Sequence, residues 1–292
     1  MAQQTLAVSG ASGQLGRRVI ELLLQANAGH TVALTRSPEK LADLAAKGVD
    51  VRRADFDDTE SLTKALVGVD RFLIISTDSL DRRAEHQVSA VETAAKAGVK
   101  HILYTSVIRA DLGLPPAIAP SHYATEQALI QSQLGWTVLR NSLYTDMFLQ
   151  SLPYAIATGQ LMAATAQAGV GYVTREDCAR AAAAALASTD VSRKTLEITG
   201  PAIITGADLA KALSEVVDKP IEFVPITLEQ KKAGLVASGL PEFVAEMVAS
   251  FDDAVAQGVL AVQSNAVAEL TGKPAQSVKD FLSANRAVLI AS

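Results

Sequence analysis

The chain has 292 residues, of which 49% are hydrophobic and 20% are charged, a balance that fits a compact α/β protein and excludes a disordered chain. A net charge of −5 and only 4% aromatic residues disfavour binding to nucleic acid or to an anionic membrane. The single cysteine, Cys178, excludes an intramolecular disulfide and fits a reducing compartment, so we expect a cytoplasmic protein.

The chain opens with an apolar strand at residues 5–9, a glycine-rich turn and a helix. The turn reads Gly10-Ala11-Ser12-Gly13-Gln14-Leu15-Gly16. Between a strand and a helix, Gly10 lets the chain turn, Gly13 lets the backbone approach a diphosphate, and Gly16 lets the helix pack on the sheet. The helix N-terminus adds unpaired N–H groups and the positive end of its dipole. These residues therefore predict a dinucleotide site; the alternative is a βα turn that binds nothing.

Further strands and helices alternate along the first half. Strands are predicted at residues 31–35, 49–53, 71–76 and 99–106, and intervening helices end at Gly48 and Gly98. The run at 71–76 is continuously apolar and β-branched, as expected of a strand covered on both faces. Five strands separated by helices predict an α/β fold with a Rossmann-type doubly wound parallel sheet.

The second half is less regular. We predict a loop at 112–120, helices at 121–134 and 142–157, and short strands at 136–140, 169–173, 194–199 and 221–224. This pattern favours a nucleotide-binding domain over residues 1–150 and a smaller C-terminal α+β lobe over 151–292, with some segments returning to the sheet. The lobe is expected to close over the strand ends, where open α/β sheets bind ligands.

A helix predicted over residues 241–256 carries large apolar side chains on one face. They are Phe243, Val244, Met247, Val248, Phe251 and Val255. A stripe at this spacing is typical of a helix that buries one face. Ordinary core packing and a lid over a substrate both remain open as interpretations.

The end of the second predicted strand distinguishes between nucleotides. An acidic residue there would bind the ribose 2′-hydroxyl of NAD, but the sequence has Thr35-Arg36. A guanidinium pairs instead with a 2′-phosphate and stacks on adenine, so Arg36 favours NADP(H) over the alternative of a solvated surface arginine. Other strand ends supply the remaining predicted cofactor residues, Asp55 and Phe56 at the adenine, Ser76 and Thr77 beside the ribose, and Ser106.

The proton-transfer pair of ordinary short-chain dehydrogenases is absent. Those enzymes use a tyrosine followed four residues later by a lysine that lowers its pKa. The residues four positions after the five tyrosines are Ile108, Gln127, Phe148, Thr158 and Glu176. At the corresponding place stands His122-Tyr123-Ala124-Thr125-Glu126, with His122 and Glu126 one helical turn apart.

At these residues the chain resembles the NmrA-like atypical short-chain reductases, a family that includes bacterial NADPH:quinone oxidoreductases and triphenylmethane reductases. The resemblance covers nearly the whole chain. It is carried by the glycine-rich turn, Arg36, the His122-x-x-Thr125-Glu126 motif and Leu139-Arg140-Asn141-Ser142-Leu143-Tyr144. It implies NADPH bound through the turn and Arg36, with residues 141–144 lining the nicotinamide and substrate pocket.

The missing lysine favours an acceptor that needs little help with protonation. When hydride passes to a quinone or a cationic dye, the product charge is delocalised or cancelled, so the protein mainly holds two flat rings face to face. We predict that Asn141 and Tyr144 bind the acceptor oxygen and that His122 supplies a proton. Alternatives are a structural bond from His122 to Glu126, and core packing for Tyr144.

The sequence thus predicts an NADPH-dependent reductase of a small aromatic or quinonoid molecule, acting as a monomer or homodimer without a metal ion. Two other functions stay open. One is an NADP(H)-binding redox sensor without turnover, and the other is a carbonyl, azo or imine reductase that uses the same pocket.

Overall fold

The structure, a computed structural model, describes residues 4–291. The strands within this range are β1 Thr5–Val8, β2 His30–Thr35, β3 Asp50–Arg53, β4 Arg71–Ile74, β5 His101–Val107, β6 Gly135–Asn141, β7 Gln160–Ala163, β8 Gly169–Val170, β9 Lys194–Ile198, β10 Ile204–Thr205 and β11 Glu222–Pro225.

The α-helices within the same range fall into two groups. The first half has α1 Gln14–Gln25, α2 Ala42–Ala45, α3 Thr59–Ala65, α4 Arg83–Lys96 and α5 Ala119–Gln131. The second half has α6 Phe148–Thr158, α7 Arg175–Ala187, α8 Gly206–Val217, α9 Leu228–Ala237, α10 Glu242–Ala256, α11 Ala266–Thr271, α12 Val278–Ala284 and α13 Arg286–Ala291. None of these helices is long and apolar enough to cross a membrane.

Seven strands form one parallel sheet in the order β3-β2-β1-β4-β5-β6-β9. The order reverses between β1 and β4, because β1 pairs with β2 on one side and with β4 on the other. Such a reversal opens a crevice at the carboxyl ends of the strands, which is where open α/β sheets bind ligands. The predicted doubly wound sheet is confirmed, and its first strand leads directly into the glycine-rich turn.

The sheet has two apolar faces because successive side chains of a strand alternate. Leu103 and Leu139 pack with α1 and α7 in one core, and Tyr104 and Val138 pack with α3, α4 and α5 in the other. Residues near the strand ends therefore belong to one face or the other according to their position along the strand.

Two segments of the second half belong to the sheet layer. Strand β9 pairs with β6, and α7 packs on α1. Arg71 of β4 fixes the end of α7, because its buried guanidinium donates to the carbonyls of Leu186 at 3.0 Å, Asp190 at 2.9 Å and Ala185 at 3.2 Å. The bonds to Ala185 and Leu186 pair carbonyl groups that the C-terminus of α7 leaves without a partner inside the helix, and the bond to Asp190 holds the loop that follows.

The other elements of the second half form a lobe with its own core. Strands β7 and β11 pair in parallel, and β8 and β10 pair antiparallel. The lobe core includes Phe148, Leu152, Leu213, Phe281 and Leu282. The domain boundary placed near residue 150 stays a prediction.

The predicted boundaries differ from the structure around the strand ends. The helix predicted at 142–157 begins only at Phe148, because residues 143–145 pair with the chain at Val173: its amide donates to the Leu143 carbonyl at 3.0 Å and its carbonyl accepts from Thr145 at 3.0 Å. The loop predicted at 112–120 ends earlier, since α5 begins at Ala119 with Pro120 in its first turn, where proline is tolerated.

The apolar face predicted for residues 241–256 is only partly buried. Phe243 is 75% exposed, whereas Ala245 and Ala249 are buried on α10. Helix α10 packs on α9, whose Lys232 pairs with Glu242 at 3.2 Å. The interpretation of the whole stripe as core is therefore wrong for Phe243, because the small residues of α10 face the protein instead.

Candidate functional site

The glycine-rich turn folds back on itself between β1 and α1. Gly10 adopts φ +61°, and its carbonyl accepts from the Gly13 amide at 2.9 Å. A Cβ at Gly16 would stand 2.4 Å from the Gly10 oxygen and 2.8 Å from its carbonyl carbon. Gly16 is therefore required by the backbone of the turn, and its part in packing of the helix on the sheet stays a prediction.

The N-terminus of α1 is free to bind an anion. Gly13 is its N-cap and supplies no side-chain acceptor, and the first turn contains no acidic residue. The opening amides of a helix have no partner within the helix, so those of Gln14 and Leu15 suit a diphosphate. Ala11 differs from its neighbours because its side chain is buried in the core and its amide donates to Leu34 at 3.2 Å.

A cleft of about 380 Å³ opens beside this turn, at the carboxyl ends of β1 to β4. It brings together eight predicted cofactor residues, Gly10, Ser12, Gly13, Arg36, Asp55, Phe56, Ser76 and Thr77. Ser106 lies outside this cleft, because its hydroxyl donates to Glu126 at 2.6 Å on the α5 side of the sheet. Ala11, Gln14 and Leu15 also lie outside the cleft lining.

Arg36 is the one lysine or arginine that lines the cleft within residues 4–291. It is exposed and forms no ion pair with another described residue. The neighbouring arginines are engaged elsewhere, since Arg17 pairs with Asp43, and Arg18 pairs with Glu176 at 2.7 Å. The free guanidinium is therefore Arg36, at the end of β2.

Two further cleft residues were missed by the sequence reasoning. Asp57 accepts a hydrogen bond from His86 at 3.0 Å and contacts Arg82, which together hold the pKa of its carboxyl below the usual range. Asp57 follows β3 closely and could have been found by extending the search two residues past Asp55. His86 lies on α4 and is brought to the cleft only by tertiary packing.

The segment after β4 forms a wall of the cleft, and residues of β5 and α4 hold it in place by hydrogen bonds. The Ser76 amide donates to Thr105 at 2.9 Å, the Thr77 amide donates to Gln87 at 3.1 Å, and Arg83 donates to the Thr77 carbonyl at 2.8 Å. The Thr77 hydroxyl is buried and has no partner among residues 4–291. An orphaned hydroxyl in a cleft wall fits a contact to a bound molecule.

Asn141 and Tyr144 lie together at the end of β6. The Asn141 amide donates to the Tyr144 oxygen at 3.0 Å, and the Arg175 guanidinium lies 5.4 Å from the centre of the tyrosine ring. Arg175 is held in turn by Asp146 at 3.1 Å. Burial raises the pKa of Tyr144, so its phenol is neutral, and its own proton remains available for donation.

His122 lies apart from this pair, on the α5 side of the sheet. Its Nδ1 is 2.7 Å from the Tyr104 hydroxyl, and burial lowers its pKa to about 3. Glu126 is the alternative structural partner predicted for His122. Its carboxylate instead accepts two hydrogen bonds from the Arg140 guanidinium, at 2.9 and 2.6 Å. The alternative of a bond from His122 to Glu126 is thus wrong: the structural partner of His122 is Tyr104.

A family model described as NAD(P)H-binding matches residues 10–189, more than half of the chain. The chain belongs to this NAD(P)H-binding family. The match begins at the glycine-rich turn and includes the cleft, Arg36 and the Asn141–Tyr144 pair. The resemblance to NmrA-like atypical short-chain reductases is confirmed at the same time.

Relatives of the NAD(P)H-binding family match over almost the full length. Quinone oxidoreductase 2 of Escherichia coli is 35% identical over 279 residues, covering 95% of this chain and 97% of the relative. The solved E. coli NADPH-dependent quinone oxidoreductase complexed with NADPH superposes with a TM-score of 0.90 at 35% identity, covering 95% of this chain and 98% of that one. Citrobacter sp. triphenylmethane reductase complexed with NADP(H) superposes with a TM-score of 0.88 at 35% identity. The match covers 95% of this chain and 99% of that one.

Gly16→Ala tests the turn. The added Cβ cannot approach the Gly10 carbonyl at 2.4 Å, so the turn must open and its amides must move. We expect the affinity for NADPH to fall by about tenfold or more, measured by calorimetry. Gly234→Ala in α9, where a Cβ meets nothing within 4 Å, is the matched control and should bind NADPH as the wild type does. Equal affinity for all three proteins would contradict this role.

Proposed function

We propose that the protein is an NADPH-dependent reductase that transfers hydride to a flat conjugated acceptor such as a quinone or a triphenylmethane-type dye. The observation that carries this proposal is the Asn141–Tyr144 pair at the end of β6, in which the tyrosine is a neutral donor followed four residues later by Phe148 and not by a lysine. The relatives named for reduction of a quinone and of triphenylmethane dyes support it, because they match this chain at 35% identity over 95% of its length.

NADPH supplies the hydride, and the cleft provides a group for each part of it. The diphosphate lies against the amides of Gln14 and Leu15 at the start of α1, since the Gly13 amide already donates to the Gly10 carbonyl. Arg36 pairs with the 2′-phosphate, and Phe56 packs against the adenine. The ribose lies near the wall after β4, where the Thr77 hydroxyl has no partner among the described residues.

Tyr144 and Asn141 bind the oxygen of the acceptor. Because the phenol oxygen already accepts from Asn141 at 3.0 Å, its hydrogen points to a second acceptor. A positioned neutral donor stabilises charge that develops on that oxygen without having to release its proton. A quinone suits such a donor because hydride transfer leaves a delocalised charge on its oxygen. A cationic dye needs no donor, because the hydride cancels its charge. Water then completes the protonation, because buried His122 is neutral and its N–H is not acidic enough to release a proton.

The C-terminal lobe supplies the apolar wall for the acceptor. Leu114 follows β5 and Leu143 follows β6, and both pack against an apolar cluster that includes Val255 in α10 and Val259 and Leu260 just after it. This apolar cluster lies at the strand ends and suits a flat aromatic ring. We accordingly assign NADP(H) binding to residues 1–150. Residues 151–292 are mainly a substrate-binding lobe with some segments returning to the sheet, and Asn141 and Tyr144 complete the acceptor site from the first domain.

The protein acts on small molecules in the cytoplasm, as a monomer or homodimer. The net charge of −5 supports an activity that needs neither nucleic acid nor an anionic membrane surface. The single cysteine supports a reducing compartment.

The activity is tested by following NADPH absorbance with a panel of acceptors: a benzoquinone, a triphenylmethane dye, an azo dye and a simple ketone. We expect turnover of the quinone and the dye, and a rate at least about tenfold lower for the ketone, which needs a localised proton donor. Tight NADPH binding without turnover of any acceptor would point to a redox sensor. A ketone or azo dye reduced fastest would point to the corresponding reductase.

Arg36→Asp tests the choice of cofactor. Loss of a charge-assisted contact to phosphate costs about 1.5–3 kcal/mol, so KM for NADPH should rise roughly tenfold to hundredfold while KM for NADH falls. Arg53→Ala, which removes an exposed arginine of β3 outside the cleft, should change neither value. An unaltered preference in Arg36→Asp would refute the assignment.

Tyr144→Phe tests the acceptor site. The ring and its contact with Arg175 remain, but the donor is lost, so kcat with a quinone should fall about a hundredfold with NADPH affinity unchanged. Tyr154→Phe alters a tyrosine of α6 that is 64% exposed and should behave as the wild type. If Tyr144→Phe keeps full kcat, the phenol takes no part in the reaction.

A further inference from the structure

A chain of hydrogen bonds runs from the cleft wall to His122 through side chains to which neither the sequence nor the proposed function assigned a role. The Thr77 amide donates to Gln87 at 3.1 Å. Gln87 bonds to the Tyr104 hydroxyl at 2.9 Å, and Tyr104 bonds to His122 at 2.7 Å. Gln87 and Tyr104 are fully buried and His122 is 3% exposed. Solvent therefore cannot substitute for a missing partner along most of this chain.

The direction of every bond in this chain follows from the first one, in which the Thr77 amide is the donor. A backbone N–H can only donate, so the Gln87 atom that faces Thr77 is the carbonyl oxygen, and the amide nitrogen faces Tyr104. The Tyr104 oxygen thus accepts from Gln87, which leaves its own hydrogen for the Nδ1 atom of His122. Thr125 agrees with this order, since it accepts from the same Gln87 nitrogen at 2.9 Å and donates to the Ser121 carbonyl at 3.0 Å.

A ring nitrogen that accepts a hydrogen bond carries no proton. His122 is therefore neutral and must carry its hydrogen on Nε2. Burial and the nearby charge of Arg83 both lower the pKa of His122, to about 3, which agrees with the geometry. Arg83 is held in place by its bond to the Thr77 carbonyl at 2.8 Å, the same residue at which the chain of bonds begins.

We propose that Gln87 and Tyr104 are positioning residues that hold His122 as its Nε2–H tautomer. Nε2 has no hydrogen-bond partner among residues 4–291, so its N–H is available to a bound molecule. A part for that N–H in reduction of the acceptor rests on the proposed function, but the tautomer does not. Because Gln87 also binds the Thr77 amide, one side chain sets both the cleft wall and the state of the histidine.

The tautomer is measured directly by two-bond proton–nitrogen NMR of protein labelled with ¹⁵N-histidine at neutral pH. The chain has four histidines, and His122→Asn identifies the signals of residue 122. In the wild type we expect Nε2 to be protonated and Nδ1 to be an unprotonated acceptor. A protonated Nδ1, or a charged ring at neutral pH, would overturn the proposal.

Tyr104→Phe removes the donor to Nδ1 and keeps the ring in place. The Nδ1 resonance of His122 should then move as its hydrogen bond is lost and the second tautomer becomes populated. Tyr123→Phe is the matched control, because this neighbouring tyrosine of α5 is 39% exposed and bonds to no member of the chain of bonds, so the resonance should stay. An unchanged Nδ1 resonance in Tyr104→Phe refutes the positioning role.

Kinetics separate this proposal from the proposed function. If the protein reduces quinones, Tyr104→Phe should lower kcat about tenfold and leave KM for NADPH within about twofold, since only the orientation of a donor is lost. Equal loss in Tyr123→Phe would mean general damage to α5 and would count against Tyr104. If no acceptor is turned over, the proposed function fails while the NMR result still decides the tautomer.

Discussion

The site depends on how closely α1 approaches the turn before it. A side chain at Gly16 would overlap the Gly10 carbonyl at 2.4 Å, so only a glycine lets the first turn of the helix press against the turn that follows β1. That approach places the unpaired amides of α1 at the point where the strand order reverses between β1 and β4. The phosphate site and the sheet crevice therefore coincide because of one backbone contact.

The end of β4 is fixed from both faces of the sheet by neighbouring residues of β5. Thr105 accepts from the Ser76 amide on one face. Tyr104 bonds to Gln87 on the other face, and Gln87 accepts from the Thr77 amide. Because adjacent side chains of a strand point to opposite faces, one strand holds both residues of the cleft wall without occupying the cleft.

Signals that lie close together in sequence were sufficient to predict the sheet, the glycine-rich turn and the position of Arg36 at the end of β2. The turn can be recognised because its requirement for glycine is local. The surroundings of His122 could not be predicted, since Tyr104 is 18 residues away and Gln87 contacts Thr125 from 38 residues away. Phe243 shows the same limit, because helical spacing alone does not say whether alanines or aromatic residues face the protein.

Burial shifts the pKa values of Tyr144 and His122 in opposite directions, and both shifts leave the side chain uncharged. It raises the pKa of Tyr144 and lowers that of His122 to about 3, so both groups are uncharged donors over the ordinary pH range. An uncharged donor stabilises a spread or partial negative charge but releases its proton reluctantly. A ketone, which forms a localised alkoxide, gains little from such a site. A quinone gains both orientation and hydrogen bonding from such a site, and a cationic dye gains orientation, without a lysine in either case.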